Sequence, residues 1–207
     1  MRSDRRGPVA GIVLAAGSSR RMGRNKLLLR LEGEAIVRKA ARRALAAGLD
    51  PVIVVLGYDS EIVALELEGL PLWIVVNPDH AEGIRSSRRA GLAAVPSSAG
   101  AAVVLLADMP FVTEQMLATL VARYRDSDAL LVTSDYAGQI APPNLYDREL
   151  FAEIAGQEGE GRAEQVARRH ADEALTVGCP AAALGDLDLP EDYERASAAK
   201  AALGDVE

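Results

Sequence analysis

Four cations fall within seven residues of this chain, Arg20, Arg21, Arg24 and Lys26, with no acid among them. They follow Gly17, Ser18 and Ser19, which in turn follow a nearly unbroken apolar run over residues 9–16. A basic, glycine-bearing loop of this kind offers what a polyphosphate needs: closely approaching N–H groups and several positive charges at short range. A second residue of chemical interest, Asp108, ends the run 101–107, the most apolar in the chain. A carboxylate directly after a buried strand is costly unless it is paired, hydrogen-bonded or metal-bound. Beside a polyphosphate, a divalent metal is a natural partner. Asp186 and Asp188 add carboxylates just ahead of a last helix. Cations on the β- and γ-phosphates, with carboxylates that hold a metal, are requirements of nucleotidyl transfer. That reaction needs no general base when the nucleophile is a phosphate, because a second pKa of about 6 leaves it largely ionised. A solvated charged loop and a loop-bracing Asp are the plainer alternatives for the same two features.

Other constellations fail on spacing. Gly17 and Gly23 are separated by five residues, and Gly23 is followed by Arg24-Asn25-Lys26, so the P-loop pattern is absent. Ala15-Ala16-Gly17 lacks the first glycines of a dinucleotide fingerprint, and Asp59 lies too far along the chain for its ribose-binding acid. His80 and His170 are the only histidines, too few for a zinc site rich in them, and both read as surface residues. Cys179 is the single cysteine and reads as a small apolar residue near a strand end. A net charge of −7 speaks against a nucleic-acid or membrane-surface partner. No run is long and apolar enough for a signal peptide or a membrane span, so a cytoplasmic location is expected.

The elements that must position these residues can be read from periodicity. Residues 9–16, 52–56, 72–76, 101–107, 130–133 and 175–177 read as strands. Helices are expected over 34–47, 60–67, 86–95, 113–125, 147–154 and 162–170, with a last one opening near Pro190. Alternation of this kind predicts right-handed crossovers and an α/β fold with a mostly parallel central sheet. Gly138, Pro142, Pro143 and Asn144 mark a small excursion over the sheet edge near residues 134–147. With neither repeat nor linker, residues 1–207 are expected to form a single domain. The arginines of the first helix read as a solvated face. Ligands of open α/β sheets bind outside the carboxyl ends of the strands, which is where both the basic loop and Asp108 fall.

Residues 14–23, LAAGSSRRMG, followed by Lys26, resemble the LAAGxSxRMGxxK signature of the molybdenum-cofactor nucleotidyltransferases, within the nucleotide-diphospho-sugar transferase superfamily. Asn77-Pro78 with residues 83–92, Leu106-Ala107-Asp108-Met109-Pro110, and residues 186–192, DLDLPED, resemble that family's later blocks, in family order. The resemblance implies a Rossmann-like three-layer sandwich. Ala15-Ala16-Gly17 is similar to the cytidylyltransferase (MocA-like) branch, where the guanylyltransferase (MobA-like) branch has Ala-Gly-Gly. The implied reaction transfers CMP from CTP to a molybdopterin-type acceptor with release of pyrophosphate, ahead of a recipient molybdoenzyme. It further implies that Leu14, Ala15, Ala16 and Gly17 frame base and phosphates, and that Arg21 and Lys26 act on the triphosphate. Asp108 would hold Mg²⁺, with Asp188 as second carboxylate, and Asn77 and Ser87 would contact ribose or base. Arg20 and Arg24 are left as surface charge. Three departures from the family pattern bear on the acceptor more than on the nucleotide half-reaction. They are Arg88, where an apolar residue usually follows the serine, with Arg85 nearby; residues 141–146, APPNLY; and residues 159–163, GEGRA. Alternatives are a GTP-using or a sugar- or polyol-phosphate nucleotidyltransferase, and a non-catalytic nucleotide-binding accessory protein.

Overall fold

In the computed structural model, the apolar run at the start of the chain becomes β1 (Val9–Ala15), with all seven residues buried. The structure describes residues 7–19, 22–156, 169–170, 174–185 and 191–194. After β1 come a two-stranded antiparallel ribbon of β2 (Arg30–Leu31) and β3 (Glu34–Ala35), then α1 (Ile36–Ala46), β4 (Val52–Leu56), α2 (Ser60–Leu65) and β5 (Trp73–Val76). The chain continues through α3 (Ile84–Ala93), β6 (Ala101–Leu106), α4 (Glu114–Arg125), β7 (Leu131–Tyr136), β8 (Gln139–Asp147), α5 (Phe151–Gly156) and β9 (Ala174–Gly178). The main sheet has seven strands in the order β5-β4-β1-β6-β8-β7-β9, and among them β8 alone runs antiparallel to its neighbours.

Alternate residues of β1 enter two different cores. Val9, Val13 and Ala15 pack with Val37, Ala41 and Ala44 of α1 and Leu117 and Leu120 of α4. Ala10, Ile12 and Leu14 pack with Leu92 of α3 and Phe151 and Ile154 of α5. Helices therefore cover both faces, which is why β1 and β6 read as continuous apolar runs rather than alternating ones. This is the expected α/β sandwich with a mostly parallel sheet. The most apolar run is indeed central, since β6 lies fourth of seven strands.

Two expectations shift in detail. The first helix begins at Ile36 rather than at residue 34, because Glu34 is held in register with Leu31 across a turn where Glu32 and Gly33 both have positive φ. The hairpin over 134–147 exists, turning at Ala137 and Gly138, whose φ values of 56° and 95° suit the tight turn of a right-twisted hairpin. Its second strand, however, lies between β6 and β7 rather than over the edge. The prolines of β8, which cannot donate to a ladder, fall where the register to β7 shifts. The strand β5 lies at the edge of the sheet, with Trp73 and Ile74 roughly half exposed. Among the described residues no helix is long and apolar enough to cross a membrane.

The chain order runs outward from β1 through β4 to β5, then returns to place β6 on the other side of β1. A crevice must open at such a reversal, outside the carboxyl ends of the two strands. Leu14 is in register with Leu106, and the Ala107 N–H donates to the Leu14 carbonyl at 3.0 Å, so the loops leaving β1 and β6 start side by side.

Candidate functional site

A cleft of about 880 Å³ occupies that crevice. Leu14, Ala15, Ala16, Gly17 and Lys26 line it from the β1 side, and Leu106 and Asp108 from the β6 side. The β1 loop is fixed by its own polar residues. Ser19, at φ 49°, accepts the Met22 N–H on its carbonyl at 3.0 Å and the Lys26 N–H on its hydroxyl at 3.1 Å. Met22 is buried against Leu29, Leu31 and Ile36, which anchors the loop to the ribbon and α1. Asn25 caps the short turn Lys26–Leu28, accepting the Leu27 N–H at 3.1 Å, and donates from Nδ2 to Asp59 at 3.3 Å.

These contacts aim Lys26 across the cleft. Its Nζ lies 2.5 Å from Oδ2 of Asp108, and the two side chains are 12% and 19% exposed. An ion pair this shielded is stronger than one at the surface. The two residues that the sequence nominated from separate loops are thus brought into direct contact. Asp108 has its own support from behind. Arg43 of α1 donates to the carbonyls of Pro110 at 2.6 Å and Val112 at 2.8 Å, which pins the loop after β6. Burial lowers the Arg43 pKa, against the pull of nearby carboxylates such as Glu32. The basic face of α1 is therefore not simply solvated. Lys39 is buried and paired with Glu32, and Arg38 donates to the carbonyls of Glu66 and Glu68.

Asn77 and Ser87 occupy different levels. Asn77 is 3% exposed and donates to the hydroxyls of Ser86 and Ser87, at 2.9 and 3.0 Å, while accepting the Asp79 N–H at 3.0 Å. Its amide braces the β5–α3 loop, and Ser87 is the member of the pair that lines the cleft. Arg24, read from sequence as surface charge, also lines the cleft, with its guanidinium carbon 5.8 Å from the Tyr193 ring centre. Arg20, Arg21, Asp186 and Asp188 lie outside the described residues.

Sequence reasoning missed Tyr58, Asp59 and His80, which line the cleft from the loops after β4 and β5. Asp59 does not cap α2 through its side chain. At φ 53° it instead turns its carboxylate to Asn25. The usable signal was Gly57. A Cβ there would sit 2.5 Å from the His80 Cβ and 2.8 Å from the Ala16 Cβ, so three strand-end loops meet at a point with no room for a methyl group. Gly57→Ala is expected to cost about 1–3 kcal/mol by overpacking. It should also weaken ligand binding in the cleft by displacing Ala16 or His80. Denaturant unfolding with a parallel ligand titration checks both, and an unchanged unfolding midpoint would contradict the packing argument.

The donor chemistry suits a hard divalent cation that keeps water and phosphate oxygens in its shell. Asp108 places a carboxylate on the cleft wall, and among the described residues no group of three or more His, Cys, Asp or Glu forms an all-protein cage.

The model of the MobA-like NTP transferase domain matches residues 11–174. The chain belongs to this family. It is similar to the purine catabolism protein PucB of Bacillus subtilis, with 33% identity over 196 residues that cover 89% of this chain and 93% of PucB. It is 36% identical over 118 residues to the nicotine blue oxidoreductase of Paenarthrobacter nicotinovorans, covering 56% of this chain and 57% of that one. A probable molybdenum cofactor guanylyltransferase of Opitutus terrae is 51% identical over 47 residues, 23% of each chain. Among solved structures, Rv0371c of Mycobacterium tuberculosis superposes with a TM-score of 0.80 at 28% identity, covering 92% of this chain and 98% of that one. A manganese complex of Rv0371c superposes at a TM-score of 0.75, with 26% identity and coverage of 91% and 97%. This MobA-like chain is thus a member of a nucleotidyltransferase family, and a divalent metal has been seen in one of its structural relatives.

Proposed function

We propose that this protein is a metal-dependent cytidylyltransferase, which transfers CMP from CTP to a molybdopterin-type phosphate and releases pyrophosphate. The observation that carries this reading is the Lys26–Asp108 pair on the lining of the cleft, a cation and a carboxylate held 2.5 Å apart at the switch point of the sheet. Backbone groups of residues 14–17 frame base and phosphates, and Lys26, with Arg21, offsets charge on the departing pyrophosphate. Asp108 would hold Mg²⁺, with Asp188 as a second carboxylate. When bound, the metal supplies Lewis-acid stabilisation of charge on the phosphoryl oxygens. Ser87 contacts the nucleotide and Asn77 acts through it. An oxygen of the acceptor phosphate bonds to the α-phosphorus of CTP, and the bond from that phosphorus to the bridging oxygen breaks. Pyrophosphate departs with the electron pair, and no proton need be removed from the nucleophile.

CTP is preferred to GTP here because Ala15-Ala16-Gly17 matches the cytidylyltransferase pattern, and the family in which the chain lies favours a transferase over a passive carrier. We place the protein in the cytoplasm as a single domain that passes its product to a molybdoenzyme, with neither nucleic acid nor membrane as partner. The test is thermal stabilisation by each of the four NTPs with and without Mg²⁺. The expected result is a rise in Tm largest for CTP with Mg²⁺. A larger shift with GTP would overturn the base assignment, and no shift with any NTP would overturn the nucleotide site.

A further inference from the structure

The strand β5 reads Trp73-Ile74-Val75-Val76, and three of its four residues are exposed. Among the described residues no strand lies beyond it. An open edge offers unpaired N–H and C=O groups to any extended chain, and proteins blunt such edges with charges, prolines or bulges. Apart from its shortness β5 has none of these, and it pairs with β4 in unbroken register. The apolar surface extends beyond the strand. Leu72 joins the core that holds Val63 of α2, whereas Val75 joins the core on the other face of the sheet. Side chains alternate along a strand, so Ile74 and Val76 stand on the α2 face and Trp73 on the opposite one. On α2 itself, Ile62 and Leu65 are one turn apart and both exposed. These five side chains are 43–64% exposed and present on the order of 500 Å², the larger part of the ~800 Å² that each partner of a standard interface covers.

The backbone says which occupant fits. The Asn77 N–H donates to the Leu56 carbonyl at 2.8 Å. Successive residues of a strand turn their polar backbone groups to opposite sides. Trp73, Val75 and Asn77 therefore address β4, and Ile74 and Val76 face outward. An antiparallel strand docks on such an edge when residues directly opposite exchange both N–H···O bonds. For β5 of a second copy, a two-fold axis through Val75 sets Ile74 opposite Val76 of that copy, and Val76 opposite its Ile74. Every outward N–H and C=O of the strand is then met. An axis at Ile74 would need the Leu72 N–H, which already donates to the Leu70 carbonyl at 2.9 Å. An axis at Val76 would bring in Pro78, which has no N–H to give. One register is thus complete, and it is self-complementary, as a closed two-fold dimer requires. It also sets Ile74 against Val76 as aliphatic cross-strand pairs on the α2 face.

We propose that β5 is the dimer interface of this protein, pairing antiparallel with β5 of a second copy so that the two seven-stranded sheets become continuous. The occupant is a second copy and not an unrelated extended segment, because the edge is its own complement in register and each copy brings the same apolar surface to it.

The test is sedimentation equilibrium of the full chain over a dilution series, with amide hydrogen exchange read at both ends of the series. Wild type is expected at twice the chain mass, dissociating on dilution. Exchange at the Ile74 and Val76 amides should slow in the concentrated sample and recover on dilution. Ile74→Lys, which puts a charge on the edge, should weaken association about tenfold or more. Ile74→Pro removes an outward N–H without removing a bond to β4, and should weaken association likewise. Ala122→Lys, exposed on α4, adds the same charge elsewhere and should leave association unchanged. Thermal unfolding checks that each variant folds, and Leu65→Lys, on the surface of α2, replaces any Ile74 variant that does not, with the same criterion. A wild type that is monomeric throughout would overturn the proposal. So would a dimer that withstands the β5 and α2 variants, or one weakened as much by Ala122→Lys. Ile74 and Val76 amides protected independently of concentration would overturn it too, by showing that another segment of the same chain covers the edge.

Discussion

Asp108→Asn is expected to lower metal-dependent pyrophosphate release at least about 10²-fold, because a metal anchored at the reacting phosphate supplies several kcal/mol of charge stabilisation. The fold should survive the change. The Ala107 N–H is held by the Leu14 carbonyl, and Arg43 grips the carbonyls of Pro110 and Val112, so the loop keeps its course without the Asp108 carboxylate. A further signature separates a metal-binding role from a structural one. Asp108 sits against the Lys26 ammonium, and Asn in its place leaves more of that positive charge for phosphate. CTP binding measured in chelator should therefore be retained or strengthened, while the gain in affinity on adding Mg²⁺ disappears. Turnover near that of wild type would remove Asp108 from the mechanism. Loss of metal-free CTP binding together with a lowered Tm would reassign it to bracing the loop.

Lys26→Ala should weaken triphosphate binding far more than monophosphate binding. A charged hydrogen bond to phosphate contributes about 1.5–3 kcal/mol, or roughly 10–100-fold in affinity. The ammonium extends from a turn whose backbone is fixed by Ser19 and capped by Asn25, so it is preorganised at one end of the cleft and not spread along it. CTP should accordingly lose one to two orders of magnitude on this scale and CMP only a few-fold. Equal losses for the two ligands would contradict the assignment of Lys26 to the outer phosphates. The loss should also shrink at high salt less than a surface charge would predict, since the Lys26 side chain is only 12% exposed.

Much of this arrangement was legible in the sequence because its causes are local. Continuous apolar runs showed which strands are covered on both faces, and the basic loop and Asp108 were found because each directly follows such a run. The start of α4 could be read from Thr113, whose hydroxyl accepts the Met116 N–H at 3.2 Å. What was not legible depends on partners distant in the chain. Arg43 reads as one more cation on a charged helix until α1 is set beside residues 110–112. His80 looks like a surface residue until the loops after β1, β4 and β5 converge on Gly57. The place of β8 inside the sheet was hidden because its prolines argue locally against a central strand, and only the register shift opposite Val132 and Ser134 shows how they are accommodated. Asn77 was nominated for ligand contact by the family resemblance, and its amide donates to the hydroxyls of Ser86 and Ser87. Asn77 is therefore a support for the residue that lines the cleft.

The most direct measurement of the central claim is product stoichiometry in a single reaction of the purified protein with CTP, Mg²⁺ and a molybdopterin-type phosphate acceptor. One pyrophosphate is expected for each CMP joined to the acceptor, a product abolished by Asp108→Asn. Acceptor modified without pyrophosphate release, or CTP consumed to CDP and phosphate, would contradict it.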